Sequence, residues 1–187
     1  MTPPIRVLLA DDHTLVRAGL RKILEQNDYL VVVGEVSDGA AALELLARQP
    51  VDVVVLDLTM PGLDGFELLR RARARWPALP LLVLTMHAGA EHAARAVQEG
   101  ADGYLLKDSA ADELVAGVRA VMDGRSYYSE PVQRALSELV RAGADLVRRL
   151  VELEARTRPV AYRVQARAFA AAYLREVLPT VRVPTLV

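Results

Sequence analysis

Three carboxylates, a hydroxyl and an ammonium stand where apolar runs of this chain give out. Residues 5–10 lead into Asp11 and Asp12, residues 51–56 into Asp57, residues 81–84 into Thr85, and residues 104–106 into Lys107. Buried parallel strands bring their carboxyl ends to one edge of a sheet, and open α/β sheets keep their ligand crevice at that edge. If the runs are such strands, the five side chains share a pocket suited to a divalent cation and a phosphoryl group. Each residue also has an ordinary reading: Asp12 as a helix cap, Asp57 as a turn residue ahead of Pro61, Thr85 as a hydroxyl bonding its own backbone, and Lys107 as a solvated cation. Their joint placement favours the shared site. Of the 23 basic residues only Lys22 and Lys107 are lysines. A compact ammonium enters a small crevice as a point charge where a planar guanidinium is bulky, which favours a functional Lys107.

The elements that must position these groups are written into the first 123 residues as an alternation of strand and helix patterns. Strands are expected over 5–10, 30–36, 51–57, 81–85 and 103–106, and helices over 14–26, 38–48, 66–75, 91–99 and 110–122. Asp38 is placed to cap the second helix, Pro77 to stop the third, and Gly100 and Gly124 to close the fourth and fifth. Five βα units predict an α/β fold: a flavodoxin-like, doubly wound, five-stranded parallel sheet of order 2-1-3-4-5. In that order the first and third strands flank the switch point, so Asp11 and Asp12 lie beside Asp57.

Beyond Ser129 the pattern becomes helical without strands. Leu136, Leu139, Gly143, Leu146, Leu150 and Leu153 form a heptad seam that Thr157 and Pro159 end. A second helical run follows over 160–178, with Phe169 and Tyr173, and an apolar, proline-broken tail begins at Pro179. The expected organisation is a domain over 1–125 and, over 126–187, a linker plus a C-terminal α-helical extension.

The net charge of −1 hides an asymmetry. Residues 1–130 hold 13 basic and 19 acidic side chains, and residues 131–187 hold 10 and 5. The split permits an acidic catalytic domain followed by a basic interaction segment, and it equally permits simple head-to-tail attraction. Cysteine is absent, so disulfides and thiolate ligands are excluded and metal binding must use oxygen or the three histidines. Neither a leader pattern nor an apolar stretch of roughly 18 residues occurs, so a cytoplasmic protein without a membrane partner is expected.

The motifs Ala10-Asp11-Asp12-His13, 57–65 (DLTMPGLDG) and 103–108 (GYLLKD) resemble a response-regulator receiver domain of bacterial two-component signalling. The resemblance covers residues 5–123 and is to the NarL/FixJ subfamily, whose members usually carry a LuxR-type helix-turn-helix. It implies Asp57 as phosphoacceptor, Mg²⁺ held by Asp11, Asp12, Asp57 and the backbone carbonyl of Thr59, Thr85 as switch hydroxyl, Tyr104 as switch aromatic and Lys107 as phosphate-binding lysine. It also implies a sensor histidine kinase as donor and control of transcription as output. Physical chemistry supports the assignments: aspartyl phosphate is an accepted covalent intermediate, and a hard dication neutralises clustered carboxylates. On phosphorylation Thr85 is expected to move inward and Tyr104 to fill the space it leaves.

Three other readings have specific sequence tests. An aspartate-nucleophile phosphatase of the haloacid-dehalogenase type wants an Asp two residues after the nucleophile, where this chain has Thr59, so slow self-catalysed turnover at most is expected. A flavodoxin would need hydroxyls and glycines in the first loop, where Asp11 and Asp12 stand. The Leu-Thr-x-Arg-Glu-x-Glu-Val-Leu stretch and Glu-Ile-Ala unit of the subfamily's DNA-binding domain do not occur. A stand-alone receiver or dimerisation module is therefore the alternative, with a homodimer through the heptad seam or a receiver face. Arg148, Arg149, Arg156, Arg158, Arg163 and Arg167 form a basic zone that is a candidate for DNA phosphate contacts. Among the histidines, His13 adjoins the acids, and His87 and His92 flank the loop after Thr85.

Overall fold

The computed structural model describes residues 3–157, with side chains as far as Gly143. The second helical run, the tail and the basic zone from Arg148 lie outside the described residues or side chains. The chain divides into two compact units, Met1–Val132 and Gln133–Val187.

In the first unit, β1 (Ile5–Ala10), β2 (Leu30–Val36), β3 (Val53–Leu56), β4 (Leu81–Thr85) and β5 (Gly103–Leu106) alternate with α1 (Thr14–Glu25), α2 (Gly39–Arg48), α3 (Gly65–Arg75), α4 (Ala90–Gln98) and α5 (Ala110–Met122). The sheet order is β2-β1-β3-β4-β5-β6, all parallel. The doubly wound order of the first five strands is the expected one. The strand count is not: β6 (Tyr127–Tyr128) adds a sixth strand beside β5. Two residues are too few to show an alternation, which is why sequence periodicity passes over it.

Strand alternation sorts the core into two layers. Val7, Leu9, Val53, Val55, Leu82, Leu84 and Leu105 pack in one cluster with Leu20 and Leu24 of α1 and Leu114, Val118 and Val121 of α5. β3 and β4 are buried throughout, as strands covered on both faces must be. The expected caps form: Asp38 accepts from the Ala41 N–H at 2.9 Å, and Gly100 and Gly124 take φ of 105° and 71°. α1 departs from one ordinary reading, since His13 rather than Asp12 is its N-cap.

Away from the carboxyl edge, two charged side chains bind the loops. Asp52 accepts from the Arg6 backbone N–H at 2.8 Å and from its guanidinium at 2.9 and 2.7 Å. Arg73 donates to the carbonyls of Pro77, Leu79 and Gly100 and to Asp102 at 2.7 Å. After β6, α6 runs Glu130–Thr157, with Pro131 in its first turn, where the missing N–H costs nothing. Among the described residues no helix is long and apolar enough to cross a membrane.

The Arg6 hydrogen bonds hold the Asp52 carboxyl below its ordinary value. Replacing Asp52 with Ala is expected to lower unfolding free energy by about 1 kcal/mol near neutral pH, the modest figure reflecting a solvent-screened pair. Because the folded pKa is depressed, this contribution is present above the unfolded carboxyl value and disappears as pH falls through the folded one. Urea melts of the two proteins should therefore converge in acid.

Candidate functional site

Strand register assembles the site. Ala10 lies opposite Leu56, so the next residues, Asp11 and Asp57, leave adjacent strands side by side, and the Asp57 N–H donates to the Ala10 carbonyl at 2.8 Å. Thr85 lies opposite Leu106, which delivers Lys107 at the same edge as the start of a single 3-10 turn. Asp11 and Asp57 are 2% and 4% exposed. Lys107 is no solvated cation: its Nζ sits 2.6 Å from Asp11 Oδ2 and 2.7 Å from Asp57 Oδ2, buried with both. Burial works against its charge, but the hydrogen bonds it donates to Asp11 and Asp57, with their negative charge, outweigh that and raise its pKa above the ordinary lysine value.

The other oxygen of each acid is held from a different side. Asp11 Oδ1 accepts the His13 N–H at 2.8 Å, and Asp57 Oδ1 accepts the Thr59 N–H at 3.3 Å. Asp12 Oδ1 is buried and accepts no hydrogen bond; its neighbour is His13 Nδ1 at 2.7 Å. One ligand atom from each of Asp11, Asp12, His13 and Asp57 lies within 4.8 Å of the others. Clustered oxygens with a buried, unbonded member fit a hard dication. Arg17 donates to the Asp11 carbonyl from α1 and so fixes the peptide between the two acids.

Thr85 and Tyr104 are fully buried nearby and meet through the loop after β4. The Thr85 hydroxyl accepts the His87 N–H at 3.5 Å, while the Tyr104 hydroxyl donates to the His87 carbonyl at 2.7 Å. Burial, then the negative charge of Asp57, pushes the Tyr104 phenol up. Tyr104 thus already occupies an inward position. His87 Nε2 lies 3.1 Å from Thr59 Oγ1, and its ring stacks on His92 at 4.7 Å between centroids.

Two supports were not read from the sequence. Gly65 signalled only a turn, yet a Cβ there would stand 2.2 Å from the Asp57 carbonyl oxygen and 2.5 Å from Leu58 Cα, so α3 can back directly onto the Asp57 backbone only through glycine. Ser129 is fully buried between β5 and α5: it accepts the Leu106 N–H at 3.1 Å, donates to Glu113, and its N–H reaches the Tyr104 carbonyl at 3.0 Å. A serine before a proline-started helix looks like an ordinary cap, which hides this role.

Residues 7–119 match the model of the response regulator receiver domain. The chain belongs to the response-regulator receiver family. It is 41% identical over 137 residues to the response regulator UvrY of Escherichia coli K12, covering 72% of this chain and 63% of that protein. The chain thus spans less than two thirds of the length of this relative. A two-component response regulator of the LuxR family from Aurantimonas sp. SI85-9A1 aligns at 37% identity with a TM-score of 0.70, over 72% of this chain and 96% of that one. The isolated receiver domain of RcsB from Salmonella enterica serovar Typhimurium, in the presence of the phosphomimetic BeF3⁻, aligns at 33% identity with a TM-score of 0.67, over 71% and 99%. These likenesses place this receiver with the NarL/FixJ type.

Two substitutions test the architecture of the receiver site. Gly65→Ala should destabilise the fold by about 2–3 kcal/mol, because the added methyl meets backbone rather than a flexible side chain, and circular dichroism melts will read it. Lys107→Ala, which leaves two buried carboxylates uncompensated, should cost about 3 kcal/mol in chelator, and millimolar Mg²⁺ should restore part of that loss in urea titrations.

Proposed function

We propose that Asp57 is the phosphoacceptor of a two-component response regulator, taking a phosphoryl group from the phosphohistidine of a sensor histidine kinase in the cytoplasm. The observation that carries this is the buried Lys107 ammonium bridging Asp57 Oδ2 and Asp11 Oδ2. An Asp57 carboxylate oxygen forms the O–P bond as the donor's N–P bond breaks, and the electron pair of that bond stays on the imidazole nitrogen. Phosphoryl transfer spreads charge over the equatorial oxygens, so a prepositioned ammonium supplies much of what the protein can add. The Thr59 N–H holds Asp57 Oδ1 and so fixes the rotation of the attacking carboxylate. Asp11, Asp12, Asp57 and the Thr59 carbonyl would hold Mg²⁺, which when bound neutralises the acids and the incoming phosphoryl oxygens.

The protein acts as a recipient rather than a turnover enzyme, because Thr59 supplies no general acid where a phosphatase of the dehalogenase type has Asp. New phosphoryl oxygens draw the Thr85 hydroxyl from the His87 N–H, and the Tyr104–His87 bond reports the change to the face made by α4, β5 and α5. The output is a change in self-association, through this face or through the α6 seam, and by way of it transcription. Relatives named as transcriptional regulatory proteins support that process, and the basic zone from Arg148 is the candidate for DNA contact.

The deciding experiment offers the full chain acetyl phosphate and Mg²⁺ and locates the modification by mass spectrometry. One phosphoryl group on Asp57 is expected, with none in Asp57→Asn or in chelator. Equal labelling of Asp57→Asn would overturn the assignment. Thr85→Ala should still accept the group but lose the accompanying change in sedimentation.

A further inference from the structure

His13 has no part in the reaction just described, yet its imidazole stands over the acids. It is the N-cap of α1 but makes no capping hydrogen bond with its side chain. Instead its Nδ1 lies 2.7 Å from Asp12 Oδ1 and 3.3 Å from Asp11 Oδ1. Two donors bound at right angles to one first-row cation, each about 2.1 Å from it, are about 3 Å apart, and the two spacings bracket that value. The set of one atom each from Asp11, Asp12, His13 and Asp57, all within 4.8 Å, is only slightly wider than the roughly 4.2 Å between opposite donors of such an ion. Lys107 contacts the Oδ2 atoms of Asp11 and Asp57, so the Oδ1 atom of Asp11 is left on the side of His13. The His13 side chain is 62% exposed, so the imidazole forms the solvent edge of the pocket, where an ion enters.

We propose that His13 is a cation ligand that gives this pocket a mixed nitrogen and oxygen donor set, favouring borderline first-row dications such as Ni²⁺ or Zn²⁺ over Mg²⁺. Oxygen-only sites suit Mg²⁺, which keeps much of its water, whereas neutral imidazole binds the later first-row ions strongly. The Asp12 oxygen without a hydrogen bond and the adjacent Nδ1 become two neighbouring ligands of one ion. The inference rests on the phosphoacceptor reading and concerns which ion accompanies the phosphoryl group.

The chain has three histidines, so a His87→Ala, His92→Ala background leaves His13 as its sole imidazole. In that background His13→Asn removes the ring while keeping a residue favoured at helix N-caps, which preserves the start of α1. Titration calorimetry of the untagged full chain with Ni²⁺ and with Mg²⁺ reads the two affinities without any phosphoryl donor. His13→Asn is expected to weaken Ni²⁺ by about tenfold or more and to leave Mg²⁺ within about twofold. Unchanged Ni²⁺ binding, or an equal fall for both ions, would overturn the proposal. With Cu²⁺ as probe, the absence of an imidazole nitrogen splitting from the electron paramagnetic resonance spectrum of the background that retains His13 would overturn it too. Acetyl phosphate labelling of the same preparations tests Asp57 separately: a wild-type chain that takes no phosphoryl group refutes the phosphoacceptor reading, while the ion affinities still decide His13.

Discussion

One buried ammonium shared by two carboxylates organises this molecule. Removing charges from water is expensive, and the mutual attraction of a buried pair offsets that cost only where geometry is good and other hydrogen bonds satisfy the remaining oxygens. Lys107 meets this condition: it has an Asp oxygen on each side, and the second oxygens of Asp11 and Asp57 are taken by the backbone N–H groups of His13 and Thr59. Two carboxylates therefore contact one fixed positive group while a third, Asp12, stands in the same acidic cluster, an arrangement with net negative charge that draws in a further cation. The pairing seen in the structure and the proposed capacity to take a phosphoryl group arise from the same imbalance.

Such geometry requires three strands to end in register and the helices behind them to approach closely. The pairings Ala10↔Leu56 and Thr85↔Leu106 supply the first requirement. Gly65 supplies the second, by letting the start of α3 lie on the Asp57 backbone, with its N–H on the Leu58 carbonyl at 3.0 Å and Asp64 capping the helix through the Glu67 N–H at 2.8 Å. Far from the site, Asp52 with Arg6 and Arg73 with four loop acceptors hold the opposite edge. Loops at that end are tied by charged side chains, which leaves the carboxyl-edge loops to carry the chemistry.

Much of this is legible in the sequence because its signals are periodic or punctuated. Short apolar runs such as 53–56, alternating with helical patterns and bounded by turn signals, read as strands buried on both faces, and a reactive residue at the end of each run marks the crevice edge. Asp38, Gly100 and Gly124 announced their caps by residue type. What stayed hidden depends on approach rather than pattern. The tightness around Gly65 is set by where α3 lands, β6 is too short to alternate, and the Ser129 bonds to Leu106, Glu113 and Tyr104 join positions with no periodic relation. His13 shows the intermediate case: sequence placed it next to the acids, and only the direction of its ring relates it to them.

The inward position of Tyr104 is secured by a main-chain oxygen, the carbonyl of residue 87. A carbonyl is present whatever amino acid occupies the site, so mutation of that side chain cannot delete the acceptor. Drift at residue 87 can then retune the neighbouring contacts to Thr59 and His92 while the aromatic keeps its anchor. The fold thereby separates a fixed contact from adjustable ones within a single residue.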